Sequence, residues 1–236
     1  MTLAFQAGAV NSGGFLACHR FVTHTTGFAT HFGAEFAQGH YLSALGMATV
    51  PLFFLMGAMF SGYFVDHKVA TGKLPRYDFL LGAIAAILGL IAVGGSFGLF
   101  GIFGESYSTF ADFILLAMLS TAMGIQNASI TSASGSVIRT THLTGVTTDL
   151  GIGLVRIISR GVPELVREQE RRASLMRIGL IGFFIFGSTI SAFAFIAVTY
   201  SGFYIPAVTS LGVLIFAHYS AHKNRQLTFS ASGVKK

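Results

Sequence analysis

The 236-residue chain is 53% hydrophobic, only 10% charged, and carries a net charge of +6. Soluble domains carry roughly 25% charged residues, so a chain this poor in charge cannot cover a water-exposed surface and reads as an integral membrane protein. The lone cysteine, Cys18, excludes an internal disulfide, and the basic residues gather in a few loops between apolar runs, as beside anionic lipid and unlike a nucleic-acid surface.

Uncharged runs cover 1–19, 36–65, 79–104, 113–138 and 178–222. A span needs about 20 apolar residues. The first run has no basic residue before Arg20 and no small-residue cleavage site, so it reads as a membrane segment and not as a signal peptide. The last run is long enough for two spans joined at Tyr200-Ser201-Gly202-Phe203-Tyr204. Six transmembrane helices are expected, near 3–22, 41–65, 78–102, 110–130, 175–198 and 204–220.

Alternate loops are basic. Lys68, Lys73 and Arg76 follow the second span, Arg156 to Arg177 follow the fourth, and Lys223, Arg225, Lys235 and Lys236 lie in the tail. The loop after the third span has Glu105 and nearby Asp112 with no basic residue. The positive-inside rule then puts both termini in the cytoplasm of a multi-pass protein. Pro163 followed by Glu164 reads as a helix start, and Glu164, Arg167, Glu168, Arg171 and Arg172 are spaced for pairing along one helix. With Ile157, Ile158, Val162, Leu165 and Val166 as its apolar side, this segment is expected along the cytoplasmic interface, feeding the fifth span. A partner-docking surface is the alternative.

One pattern occurs twice. His24-Thr25-Thr26-Gly27-Phe28-Ala29-Thr30-His31-Phe32-Gly33 and His142-Leu143-Thr144-Gly145-Val146-Thr147-Thr148-Asp149-Leu150-Gly151 both read H-x-T-G-x-x-T-x-x-G. They stand 118 residues apart, half the chain of 236. Upstream, Gly8-Ala9-Val10-Asn11 matches Gly124-Ile125-Gln126-Asn127, and Arg20 and Thr23 match Arg139 and Thr141. This is the signature of a duplication. With three spans per half, the second copy enters the membrane from the opposite side. The expected fold is an all-α, polytopic membrane helix bundle of two inverted three-helix repeats, with broken or re-entrant segments at the Thr-Gly motifs. The repeats occupy 1–108 and 109–222, and 223–236 is a basic cytoplasmic tail.

Transporters of this architecture bind solute near the midplane, where Gly-interrupted segments of both repeats meet. A helix beginning inside the bilayer offers free N–H groups and the positive end of its dipole, which suits an anion or carboxylate. Arg20 and Arg139, if deep, would line a polar cavity. The candidate solute site is therefore Asn11, Arg20, His24, Thr26, Gly27 and Thr30 from the first copy, with Asn127, Arg139, His142, Thr144, Gly145 and Thr148 from the second. The copies differ where His31 stands against Asp149, and a contact between these two would make a proton relay.

Structural readings stand beside these. Thr and Gly also serve tight helix packing, as expected at Gly94-x-x-x-Gly98, Asn and Gln can be interhelical glue, and Arg20 can snorkel to an interface. His19, His24, His31 and His40 invite a metal, but His24 and His31 are not at ligand spacing and no acidic or cysteine set completes them. No metal site, cofactor or catalytic residue is expected.

The strings Ala7-Gly8-Ala9-Val10-Asn11 with Gly13-Gly14-Phe15-Leu16 and Thr23-His24-Thr25-Thr26-Gly27 carry a family resemblance. So do Met123-Gly124-Ile125-Gln126-Asn127-Ala128 and Arg139-Thr140-Thr141-His142-Leu143-Thr144-Gly145. On these the chain resembles the YoaK family of bacterial membrane proteins over roughly residues 3–220, departing from many members at Asn11 and Phe28. That family has no assigned function. The resemblance implies a bacterial cytoplasmic (inner) membrane protein of about six spans.

Two readings follow. One is a small secondary transporter or carrier of a small, anionic solute, with membrane lipid and solute as partners, no nucleic acid, and a homo-oligomer compatible with it. The other is a non-transporting membrane scaffold or sensor whose Thr-Gly motifs only pack helices. An intramembrane enzyme stands third.

Overall fold

A computed structural model describes residues 1–105, 110–135 and 141–231, without the side chains of Thr25, Thr49 and 221–231. Arg139 and residues 232–236 of the tail lie outside the described residues. Among the described residues all regular structure is helical: α1 (Thr2–Cys18), α2 (Thr25–Ala37), α3 (Tyr41–Phe64), α4 (Asp66–Ala70), α5 (Tyr77–Ser96), α6 (Phe110–Ala133), α7 (Leu143–Ile158), α8 (Glu164–Val198) and α9 (Tyr204–Ala231). A 3-10 turn, Thr199–Phe203, separates the last two at the uncharged turn the sequence marks.

Among the described residues four helical stretches are long and apolar enough to cross a membrane: Tyr41–Ala70, Tyr77–Ser96, Phe110–Ala133 and Glu164–Ser220. The last, of 57 residues, holds α8 and most of α9. α1 is shorter at 17 residues, roughly 25 Å of helix. Large apolar side chains face outward along these helices, Leu42 being 87% exposed and Ile196 72%. Exposed apolar surface on this scale needs covering, and the helices are compatible with a membrane protein.

Glycine decides which helices touch. A Cβ at Gly8 would lie 2.1 Å from the Phe184 carbonyl oxygen, and one at Gly187 would lie 2.0 Å from that of Phe5, so α1 and α8 meet backbone to backbone. The same relation recurs between α6 and α3: Gly124 faces the Phe54 carbonyl and Gly57 faces the Thr121 carbonyl. Both pairs run parallel, since Gly13 then meets Phe195 and Gly46 meets Phe113 further along the same seams. One turn beyond each α3 and α8 glycine stands a fully buried serine, Ser61 and Ser191. Small residues four apart allow this close approach. α5 and α9 run antiparallel, with Phe79 beside Ile215 at one end and Gly95 against Tyr200 at the other.

The core collects between these pairs. Leu80, Ile84, Leu88 and Ile91 form one stripe of α5, and Leu115, Leu116, Leu119 and Met123 one of α6; all are fully buried. Their i, i+3/i+4 spacing puts them on a single helix face. Phe195 and Phe203 close the core at the 3-10 turn, their ring centroids 4.7 Å apart.

Three local expectations change. The first helix ends at Cys18 and not near 22: His19 turns left-handed (φ 53) and the chain doubles back. Gly98 is no packing glycine, because it lies beyond the end of α5 with φ +78 and closes a turn, while Gly95 makes the close contact. The segment from Glu164 does start a helix, but it runs unbroken to Val198 as part of α8. Its expected pairs form: Arg167 with Glu164 at 2.8 Å and Arg172 with Glu168. At 35 residues α8 is roughly 50 Å long, well beyond a ~30 Å hydrocarbon core, so the charged start can project from it.

Candidate functional site

After α1 the chain returns along the helix it has just left. Asn11 Oδ1 accepts a hydrogen bond from the Thr23 hydroxyl at 3.0 Å and one from the Thr23 backbone N–H at 3.3 Å. Asn11 lies seven residues before the end of α1, so the connection comes back roughly 10 Å. In the second half the Thr141 hydroxyl donates to Asn127 Oδ1 at 2.9 Å, which brings the chain back along α6. Each asparagine clamps the residue before a motif histidine.

From those clamped points two short helices start. His24 caps α2 (φ −103, ψ 74) and His142 caps α7 (φ −100, ψ 58), and neither cap residue's side chain bonds the helix amides. The first-turn N–H groups of both helices therefore have no side-chain cap. The motif glycine three residues on has a local purpose. A Cβ at Gly145 would lie 2.4 Å from His142 Cδ2, and one at Gly27 would lie 3.3 Å from His24 Cδ2. Each imidazole lies over the first turn of its own helix, and glycine leaves room for it. The motif threonines one turn later bond back along the helix, Thr30 to the Thr26 carbonyl at 3.3 Å and Thr148 to the Thr144 carbonyl at 3.0 Å. From these starts α2 packs back on α3, and α7 on α8.

Both starts open on one cavity of about 610 Å3, lined by Asn11, Phe21, Thr23, His24, Thr26, Thr141, His142, Leu143, Thr144 and Phe184. Of the expected site residues, Asn11, His24, Thr26, His142 and Thr144 come together there. Gly27, Gly145 and Asn127 contact lining residues without lining the cavity, and Thr30 and Thr148 are exposed one helical turn further along. Arg20 is half-buried in the connection, its Nη1 donating to the His19 carbonyl at 3.2 Å, and does not line the cavity. Arg139 lies outside the described residues. His31 and Asp149 are exposed, two turns along α2 and α7, with no hydrogen bond or ion pair joining them among the described residues.

The lining residues outside the expected set are Phe21, Thr23, Thr141, Leu143 and Phe184. Thr23 and Thr141 were findable, since both precede the motif histidine in the repeat. Phe184 carries no signal, being one of many phenylalanines in an apolar run. Phe21 stacks on Phe15 at 4.7 Å and meets His24 edge-on at 6.4 Å, forming an aromatic wall. The cavity offers hydroxyls, imidazoles and two helix N-termini, and no charged side chain lines it among the described residues. Among the described residues no group of three His, Cys, Asp or Glu could hold a metal ion.

No curated protein and no solved structure matches the chain. One family does, over residues 1–216: the chain belongs to the family described as protein of unknown function, DUF1275.

Proposed function

We propose that the chain is a small carrier of a compact, anionic solute, a six-span protein of the bacterial inner membrane with both termini in the cytoplasm. In this reading it consists of two inverted three-helix repeats, α2 and α7 are re-entrant half-helices, and its kin are the YoaK-like proteins it resembles. The observation that carries the reading is the cavity itself: the same motif from each half contributes a histidine, two threonines and a helix start to one space. The recurrent pairing of α1 with α8 and of α6 with α3 supports the repeat. Converging helix N-termini favour negative charge, and hydroxyls and imidazoles donate to oxygen acceptors.

Two experiments test this. Reconstituted proteoliposomes offered labelled nitrate, sulfate and formate should take up at least one faster than empty liposomes, and Thr26→Val with Thr144→Val should slow it. Equal uptake with and without protein for all three would remove the anion carrier. Topology is read separately in a Cys18→Ser background. A membrane-impermeant maleimide on intact cells should label Glu105→Cys and spare Lys73→Cys; the reverse would invert the orientation.

A further inference from the structure

A groove between the start of α5 and the end of α9 has the layering of an amphiphile. We propose that it holds a zwitterionic phospholipid whose headgroup carries an N–H-bearing ammonium beside its phosphate, as phosphatidylethanolamine does. This goes beyond the carrier reading and needs from it only that α5 and α9 cross a membrane.

The groove, of about 720 Å3, is lined by Arg76, Asp78 and Phe79 on one side and by Leu214, Ile215, His218 and Tyr219 of α9 on the other. Because the two helices are antiparallel, both sides stack in the same order. Arg76, Asp78, His218 and Tyr219 make an outer polar layer, and Phe79, Leu214 and Ile215 an apolar layer within it. The apolar stretch Tyr77–Ser96 begins beside Arg76, and the one that closes at Ser220 ends beside Tyr219. The polar layer thus falls at headgroup level, where tyrosine is favoured, and the apolar layer at the top of the acyl chains. Phe79 is a fixed wall, packed on Phe64 and Phe60 of α3 with ring centroids 4.7 Å and 6.0 Å away.

The polar layer selects the headgroup. Arg76 Nε donates to Asp78 Oδ1 at 3.0 Å, and Arg76 Nη2 donates to Asp78 Oδ2 at 3.0 Å. The Arg76 backbone N–H donates to the Phe64 carbonyl at 3.0 Å, which ties the pair to the end of α3. Both side chains are half exposed, and Nη1 takes no part in the pair. Nη1 can therefore donate to a phosphate, for which a guanidinium is well shaped. The Asp78 carboxylate can accept from an ammonium as well, since each of its oxygens takes more than one donor. A cation and an anion held side by side match a headgroup with the opposite charges side by side. A headgroup with a phosphate and no cation would meet Arg76 but be repelled by Asp78. A trimethylammonium headgroup has the charge but no N–H to donate. The groove on the α1–α8 seam, with Ser12, Ser188 and Thr189, has no charged side chain among the described residues and makes no such selection.

Lipid binding to the full chain tests this. The protein, stripped of lipid in detergent, is offered phosphatidylethanolamine, phosphatidylcholine and phosphatidylglycerol with identical acyl chains, and native mass spectrometry counts the lipid-bound species. The ethanolamine lipid should bind tightest. Asp78→Asn should bring it down to the level of the choline lipid and raise the glycerol lipid, whereas Arg76→Gln should weaken all three. Arg172→Gln, which removes an exposed charge on α8, should keep the parent ranking. Equal binding of the three lipids by the parent chain, or a preference for the glycerol lipid, overturns the proposal and leaves the membrane reading standing. An ethanolamine preference that survives both Asp78→Asn and Arg76→Gln, or that is lost equally in Arg172→Gln, overturns its assignment to this groove. A full chain recovered in the soluble fraction and not with membranes overturns both.

Discussion

The His142 ring occupies the space that a side chain at position 145 would need. A Cβ there would come within 2.4 Å of the ring, against 3.3 Å for the matching pair His24 and Gly27. The two halves thus use the same Gly for the same purpose with different tolerance. An imidazole can swing aside where a backbone cannot, so Gly145→Ala should change stability by no more than about 1 kcal/mol while moving His142. Solute uptake should fall further in Gly145→Ala than in Gly27→Ala, with both variants melting near the parent. Equal uptake by the two would separate the ring position from function.

The helix seams make the opposite prediction. At Gly8, Gly187, Gly57 and Gly124 the atom in the way is a backbone carbonyl oxygen, 2.0 to 2.3 Å from where a Cβ would stand, and two packed helices would have to separate. Each Gly→Ala should cost about 1–3 kcal/mol, the usual penalty of overpacking. Unfolding in mixed micelles reads the cost directly. The Gly8 and Gly124 variants should lose comparable stability, because both meet the same kind of contact in corresponding seams. A substitution that left the transition unmoved would mean that the seam opens freely.

These contrasts separate what was legible in the sequence from what was not. The repeated histidine, threonine and glycine were legible because the pattern stands twice in the chain at matching places, and the helix start at Glu164 because proline and an acidic first turn announce it. The doubling back after Cys18 was not, since an apolar run of that length continues as a helix just as well by composition. What stops it is a left-handed His19 and the clamp from Asn11 to Thr23, which is a contact between residues 12 apart. Nor could the seam glycines be told from the other glycines of the chain, because their meaning lies wholly in the facing helix. Gly98 misled for the same reason: spacing alone does not tell a packing glycine from one that closes a turn.

The asparagine clamps are unequal, and their loss should be too. Asn11 holds Thr23 by both hydroxyl and backbone N–H, whereas Asn127 is described holding Thr141 by the hydroxyl alone. Removing a partly buried acceptor leaves its donors to find new partners, at about 1–3 kcal/mol. Asn11→Ala should therefore lower the melting temperature more than Asn127→Ala. Thr23→Val should lose less than Asn11→Ala, since the backbone N–H still reaches Asn11. A larger loss for Asn127→Ala would reverse this ranking of the two clamps.

At the other end of α7 a carboxylate fixes the helix to its neighbour. Glu170 in α8 accepts from Arg156 of α7 at 2.7 Å and from Arg177 of α8 at 3.2 Å, and Gly153 of α7 packs against the same group. The hydrogen bond from Arg156, and then that from Arg177, hold the Glu170 carboxyl below its ordinary value of 4.5. A carboxyl depressed on folding stabilises above its unfolded pKa and loses that stabilisation as pH falls through its folded one. The clasp should thus survive acidification through the ordinary glutamate range and release only below about pH 4.5, where the carboxylate takes up its proton. α2 has no such anchor in the described structure: its end carries only the local contact of His40 with Glu35 at 3.1 Å. Hydrogen exchange across Gly151–Ile158 should accelerate in Glu170→Gln at neutral pH and in the parent only in acid. The backbone of α2 should be indifferent to both. Exchange in α7 that was insensitive to Glu170→Gln would assign its anchoring to packing on α8 alone.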